Sequence, residues 1–136
     1  MGNRRKAREC ALQILYQMDV SGAAADEALA SYWQCFEHPE EVAEFADELV
    51  RGVSGRRTEI DQLIQDSSRH WKLERMARVD RNILRLAVYE LLHHPEIPKK
   101  VTLNEAIEIG KRFGSEDSSA FINGILDNIC LNVAKE

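Results

Sequence analysis

Two groups of side chains have the types and spacing to hold a nucleic acid. The first is Arg4, Arg5, Lys6 and Arg8, clustered in the opening turns of a helical pattern. The second is Lys111, Arg112, Phe113, Asp117 and Phe121, which sets cations and aromatics around a corner between two helical patterns. Cations attract phosphates and aromatic rings accept bases, each stack being worth roughly 1–3 kcal/mol. Each group also has a plain alternative. The basic cluster reads equally as a solvated helix end. Phe113 and Phe121 are in helical phase with Gly110 and Ile125 and suit a core, and Asp117 suits a helix N-cap.

The rest of the chain offers little other chemistry. His38, His70, His93 and His94 stand in loops or at element ends, without the HExxH spacing of a metal site. Cys10, Cys35 and Cys130 are odd in number and widely separated, so reduced thiols are expected rather than a disulfide framework or a zinc site. Glu105 and Glu108 share a helix, but a capping role accounts for the first and a solvated face for the second. There is no glycine-rich phosphate loop, and no nucleophile–base arrangement is favoured. The expectation is a non-enzyme with no metal and no cofactor.

These residues must be carried by helices. Residues 3–19 show an apolar stripe of Ala7, Cys10, Ala11, Ile14, Leu15 and Met18, with Asn3 as N-cap. Cations at this end oppose the helix dipole, each costing about 0.3–1 kcal/mol unless an anion lies close. That cost is what favours a phosphate partner. A short helix follows over 26–33. Residues 39–67 hold one helical phase from Val42 to Ile64, which predicts a single long helix, bent near Gly52 to Gly55, with two helices as the alternative. A linker over 67–78 contains Trp71, Leu73 and Met76. The stretch 79–92 is apolar almost all round, as expected of a central buried helix, and Arg81 and Arg85 exclude a lipid setting. Thr102 and Glu105 fit a capping box for a helix ending at Phe113, with Gly114 as its left-handed stop. A last helix carries Phe121, Ile122, Ile125, Leu126, Ile129 and Val133 inward. No segment has strand periodicity. The expected fold is all-α, about seven helices in one domain over 1–136, with two subdomains of roughly 1–70 and 71–136 sharing a core.

The totals agree. Eighteen Lys and Arg against 23 Asp and Glu leave a net charge of −5, which argues against coating nucleic acid by bulk charge but permits a local basic patch. No run is long enough to span a membrane and no signal peptide is evident, so a cytoplasmic protein is expected.

The run from Arg4-Arg5-Lys6-Ala7-Arg8 through Tyr16, and the run from Lys99-Lys100-Val101-Thr102 through Ser118 continuing from Phe121 to Asp127, together resemble the NusB family of bacterial transcription antitermination factors. Val79-Asp80-Arg81 through Tyr89-Glu90-Leu91 resembles it as well. The resemblance implies an all-helical fold and no enzyme activity. It implies binding of the boxA element of ribosomal RNA leader transcripts, together with the ribosomal protein NusE, in an RNA polymerase antitermination complex. RNA-contacting features of the family map onto Arg4, Arg5, Lys6, Arg8, Tyr16, Phe113, Asp117 and Phe121, with Lys111 and Arg112 beside them. Glu74 and Asp80 fall where the family has acidic residues near the ribosomal protein. Relatives occur as monomers and dimers, so a homodimer is an open expectation.

The chain departs from the family pattern at Ala120, often a basic position, at Arg112, an added cation, and at Gly110, commonly Ala. Two other readings stand beside this one. One is a helical protein–protein adaptor whose basic end is incidental. The other is the accessory RNA-binding domain of a ribosomal RNA cytosine methyltransferase, for which 136 residues leave no room for a methyl-donor-binding domain.

Overall fold

The computed structural model describes residues 2–131, so the expectation for Val133 lies outside the described residues. Those residues form seven α-helices and no strand: α1 (Gly2–Ser21), α2 (Ala25–Cys35), α3 (Glu40–Gly55), α4 (Arg57–Asp66), α5 (Arg78–His93), α6 (Lys99–Phe113) and α7 (Ser118–Cys130). A single 3₁₀ turn, Leu73–Arg75, lies in the segment before α5.

The all-round apolar pattern of α5 has the expected consequence. Every residue from Asn82 to Leu91 is buried, and the helix touches α1, α3, α4, α6 and α7. One apolar cluster runs from Ala11 and Ile14 of α1 through Leu49 and Val53 of α3, Ile83 and Leu84 of α5, and Ile122 and Leu126 of α7. A smaller one joins Ala7 and Cys10 to Val42 and Ala46, fastening α1 to α3. Arg81 and Arg85 do enter the interior of a protein rather than a bilayer. Arg81 forms a two-pronged pair with Asp19 of α1 at 2.8 and 3.0 Å. Arg85 does the same with Asp61 of α4 at 2.8 and 3.1 Å.

Residues 39–67 are two helices, not one. Arg56 leaves the helical region (φ −123°, ψ 24°) between α3 and α4. Its own N–H still bonds back to Gly52 and Val53, and its carbonyl accepts from Ile60. A break of one residue with both ladders intact barely disturbs phase, so Val53 and Ile60 are both fully buried. The Ser54-Gly55 pair just before the break is a usual site for such a kink. Gly52 has a separate reason to be glycine: a Cβ there would overlap the Tyr89 ring of α5.

Four expected caps are not made, that of Asp117 at the start of α7 among them. Asn3 lies inside α1, and its amide donates to Glu41 of α3 at 2.6 Å. The Thr102–Glu105 capping box does not form, because α6 starts four residues earlier with Pro98 at its N-cap. Pro98 supplies the fixed φ that a helix start needs, which frees Thr102 and Glu105 for other helices. Gly114 ends α6 in extended geometry (φ −97°), not left-handed. Its lack of a side chain matters for a close approach: a Cβ would lie 2.6 Å from that of Ser118.

Candidate nucleic-acid interface

Helices α1 and α6 both pack on α5, and ion pairs tie them to each other. Arg5 and Glu9 of α1 meet Glu105 and Arg112 of α6 in the same order, so the two helices run in one direction. Arg8 meets Glu90, and Asp19 meets Arg81, so α5 runs the other way beneath them. Arg5, Glu9 and Tyr16 follow at spacings of four and seven and share one stripe of α1, roughly 16 Å long at 1.5 Å per residue. Tyr16 is 39% exposed at its far end.

The four cations of α1 have different surroundings. Arg4 lies with its guanidinium 4.5 Å from the centre of the Phe45 ring and 4.0 Å from Glu96. Arg5 donates from Nε and Nη2 to both oxygens of Glu105, at 2.9 and 2.7 Å. The hydrogen bond from Arg5 holds the Glu105 carboxyl below its usual range despite partial burial, helped by the charges of Arg5 and Arg8. Lys6 is exposed and has no ion-pair partner among the described residues. Arg8, only 5% exposed, donates to both oxygens of Glu90 at 2.6 and 3.0 Å. Glu90 also accepts from Thr102 Oγ1 at 3.1 Å.

Acids of the chain itself therefore offset the dipole cost of Arg4, Arg5 and Arg8. The structure places Arg8 in the core, tying α1 to α5, and not on the surface where a phosphate would reach it. Glu90, Glu105 and Glu9 are the residues that sequence reasoning missed. They stand 82, 100 and 103 positions from their partners Arg8, Arg5 and Arg112.

The second group sits at the corner between α6 and α7. Arg112 donates to Glu9 Oε2 at 2.9 Å, and its guanidinium lies 5.4 Å from the centre of the half-buried Phe113 ring. That contact brings Phe113 near Glu9 of α1. Lys111 is exposed, 3.5 Å from Glu108. Buried Ser118 holds the corner: its Oγ accepts the Ser115 N–H at 2.9 Å and donates to Asp80 Oδ1 at 2.6 Å. Asp117 occupies the N-cap position of α7 without making a side-chain cap, and stays exposed.

Phe121, one turn into α7, is half-buried and meets Trp71 edge-on, with ring centres 5.9 Å apart and planes at 88°. Trp71 is 55% exposed. The two rings border a groove of about 670 Å³ that also takes in Arg69, His70 and Asn128. Trp71 falls in the segment over 67–78 whose sequence pattern reads as a linker. Its one sequence signal is an aromatic set among Arg69, His70 and Lys72. The acids expected to face a protein partner are separated. Glu74 is exposed on the 3₁₀ turn, whereas Asp80 is buried on Ser118.

Among the described residues no group of acidic, histidine and cysteine side chains is arranged to hold a metal ion. No helix there is long and apolar enough to cross a membrane.

A family model described as "NusB family" matches residues 5–130. The transcription antitermination protein NusB of Myxococcus xanthus is 50% identical, with 99% of each chain covered. That of Desulfatibacillum aliphaticivorans is 52% identical, covering all of this chain and 95% of its own. Among solved structures, T. maritima NusB superposes with a TM-score of 0.87 at 38% identity, covering 96% of this chain and 92% of that one. A chain from a crystal structure of the antitermination factors NusB and NusE in complex with dsRNA gives 0.88 at 26% identity, covering 97% and 98%.

Proposed function

This chain belongs to the NusB family of non-enzymatic transcription antitermination factors, and on that premise we propose that it binds boxA-type RNA of ribosomal RNA leader transcripts together with the ribosomal protein NusE, within an RNA polymerase antitermination complex. The observation that carries the reading is the pair of ties between α1 and α6. Arg5–Glu105 and Arg112–Glu9 tie the basic start of α1 to the Arg112–Phe113 end of α6, and Tyr16 is exposed further along α1. Phosphates then lie along Arg4, Arg5, Lys6 and Lys111, and bases stack on Tyr16 and Phe113. Phe121 and Trp71 extend the stacking surface around the corner. Asp117, exposed and uncommitted to a cap, accepts from a base edge. Arg112 steadies Phe113 and Glu9, and Arg8 serves the fold. Glu74 faces the ribosomal protein, while Asp80 acts through the corner it holds. Base contacts, not phosphates, supply the sequence selectivity.

A second reading, a protein–protein adaptor, is favoured by the internal neutralisation of three of the four α1 cations. One binding experiment separates the two. Labelled boxA RNA and a scrambled RNA are titrated at two salt concentrations, with and without NusE. Selective binding that weakens with salt, strengthens with NusE and drops in Phe113→Ala is expected. Equal weak binding to both RNAs, indifferent to NusE, would refute the RNA reading and leave the adaptor. Exposed Trp71 provides a fluorescence signal for the same titration, since Trp33 is half-buried and donates to Asp47 at 2.9 Å.

A further inference from the structure

The ion pairs along the α1–α6 seam differ in what each would leave behind if opened. Arg112 is well exposed, with a side chain 64% accessible, but its partner Glu9 is 7% accessible and has no second ion-pair partner among the described residues. Releasing Arg112 would strand a buried carboxylate, so Arg112 stays where it is. At the other pair Arg5 is 54% accessible and Glu105 16%. Glu105 has a second cation in reach, Arg8 Nη1 at 3.7 Å, which stays when Arg5 leaves. The guanidinium fork fits a carboxylate and a phosphate by the same two-pronged geometry. Arg5 cannot hold Glu105 and a phosphate through the same two N–H groups at once.

We propose that Glu105 is an internal competitor for the RNA phosphate at Arg5: it holds the Arg5 fork until a phosphate displaces it, with Arg8, itself paired with Glu90, close enough at 3.7 Å to offset part of its charge, and so sets RNA affinity from inside the protein. This rests on the RNA-binding reading above and adds a residue that does not itself touch RNA. Glu105 weakens phosphate contact alike for every RNA, so it suppresses non-selective binding without changing which bases are preferred. A half-exposed pair of this kind is worth about a two- to five-fold change in affinity at low salt.

The test measures anisotropy of labelled boxA-type and scrambled RNAs, in the presence of NusE, with the full chain and with Glu105→Gln, Arg5→Ala and the double variant, with thermal melting as a check on the fold. Glu105→Gln should bind both RNAs about two- to five-fold more tightly, with their ratio unchanged. Arg5→Ala should cost more in the Glu105→Gln background than in the parent, because in the parent the lost phosphate contact is partly offset by no longer having to open the pair. Should Glu105→Gln melt early, Glu105→Asp keeps the charge beside Arg8 while falling short of Arg5, and the same gain is expected. Unchanged or weaker binding by a folded Glu105 variant, when the parent still prefers boxA RNA, overturns the competitor role alone. A parent that does not distinguish the two RNAs overturns the reading beneath it.

Discussion

Arg8→Ala separates the role suggested by sequence from the one assigned by structure. Sequence and family resemblance put Arg8 with the phosphate-binding cations. The structure buries it, with both Glu90 oxygens engaged and Thr102 closing the network. Removing one partner of such a pair leaves a buried carboxylate and costs about 3–5 kcal/mol. For a domain of this size, that lowers Tm by roughly 10–20 °C. Circular dichroism melts read the stability directly. RNA titration at low temperature, where the variant is still folded, reads the function, and little direct loss of affinity is expected there. Replacing both members, as Arg8→Met with Glu90→Leu, should recover much of the stability because no unpaired charge remains. An Arg8→Ala variant that melts within about 2 °C of the parent yet loses RNA affinity would refute the assignment and return Arg8 to the phosphate site.

Other predictions follow from single contacts. Gly52→Ala should destabilise by about 1–3 kcal/mol through overlap with the Tyr89 ring, whereas Gly55→Ala, with open space around it, should be neutral or stabilising by up to about 1 kcal/mol; urea midpoints that fail to diverge would reject the close approach. Asp19 feels burial, which opposes its charge, but hydrogen bonds from Arg81 and Asn82 and the charges of Arg81 and Arg85 prevail and lower it to about 2. Its contribution, on the order of 2 kcal/mol, is therefore fully present above its unfolded value near 4 and is lost as pH falls through about 2. Asp19→Asn should flatten that part of the acid-unfolding profile, and an unaltered profile would count against the pairing. Ser118→Ala leaves Asp80 and the Ser115 N–H without their partner and should cost about 1–3 kcal/mol. It should also weaken RNA binding through the α6–α7 corner, and a variant with parental stability would show that Ser118 does not hold it.

Local pattern was enough for the helices and for the centre of the fold. Periodicity at 3.6 residues is a property of neighbours in sequence, so α1, α5, α6 and α7 were legible. The apolar circumference of residues 79–92 marked α5 as the helix on which the others pack. The aromatic and basic residues near Phe113 and Arg5 were legible by type. Tertiary structure decided the partner of each charge, because oppositely charged residues pair across 82 to 103 positions with no periodic trace. It turned Arg8 inward, placed Glu105 on Arg5 instead of on a helix cap, and brought Trp71 to Phe121. It also hid the break at Arg56, since a one-residue kink that keeps both hydrogen-bond ladders leaves hydrophobic phase almost unchanged. Helix formation is set by local spacing, whereas the electrostatic state of a surface depends on which distant carboxylates the packed core brings within about 3 Å of it.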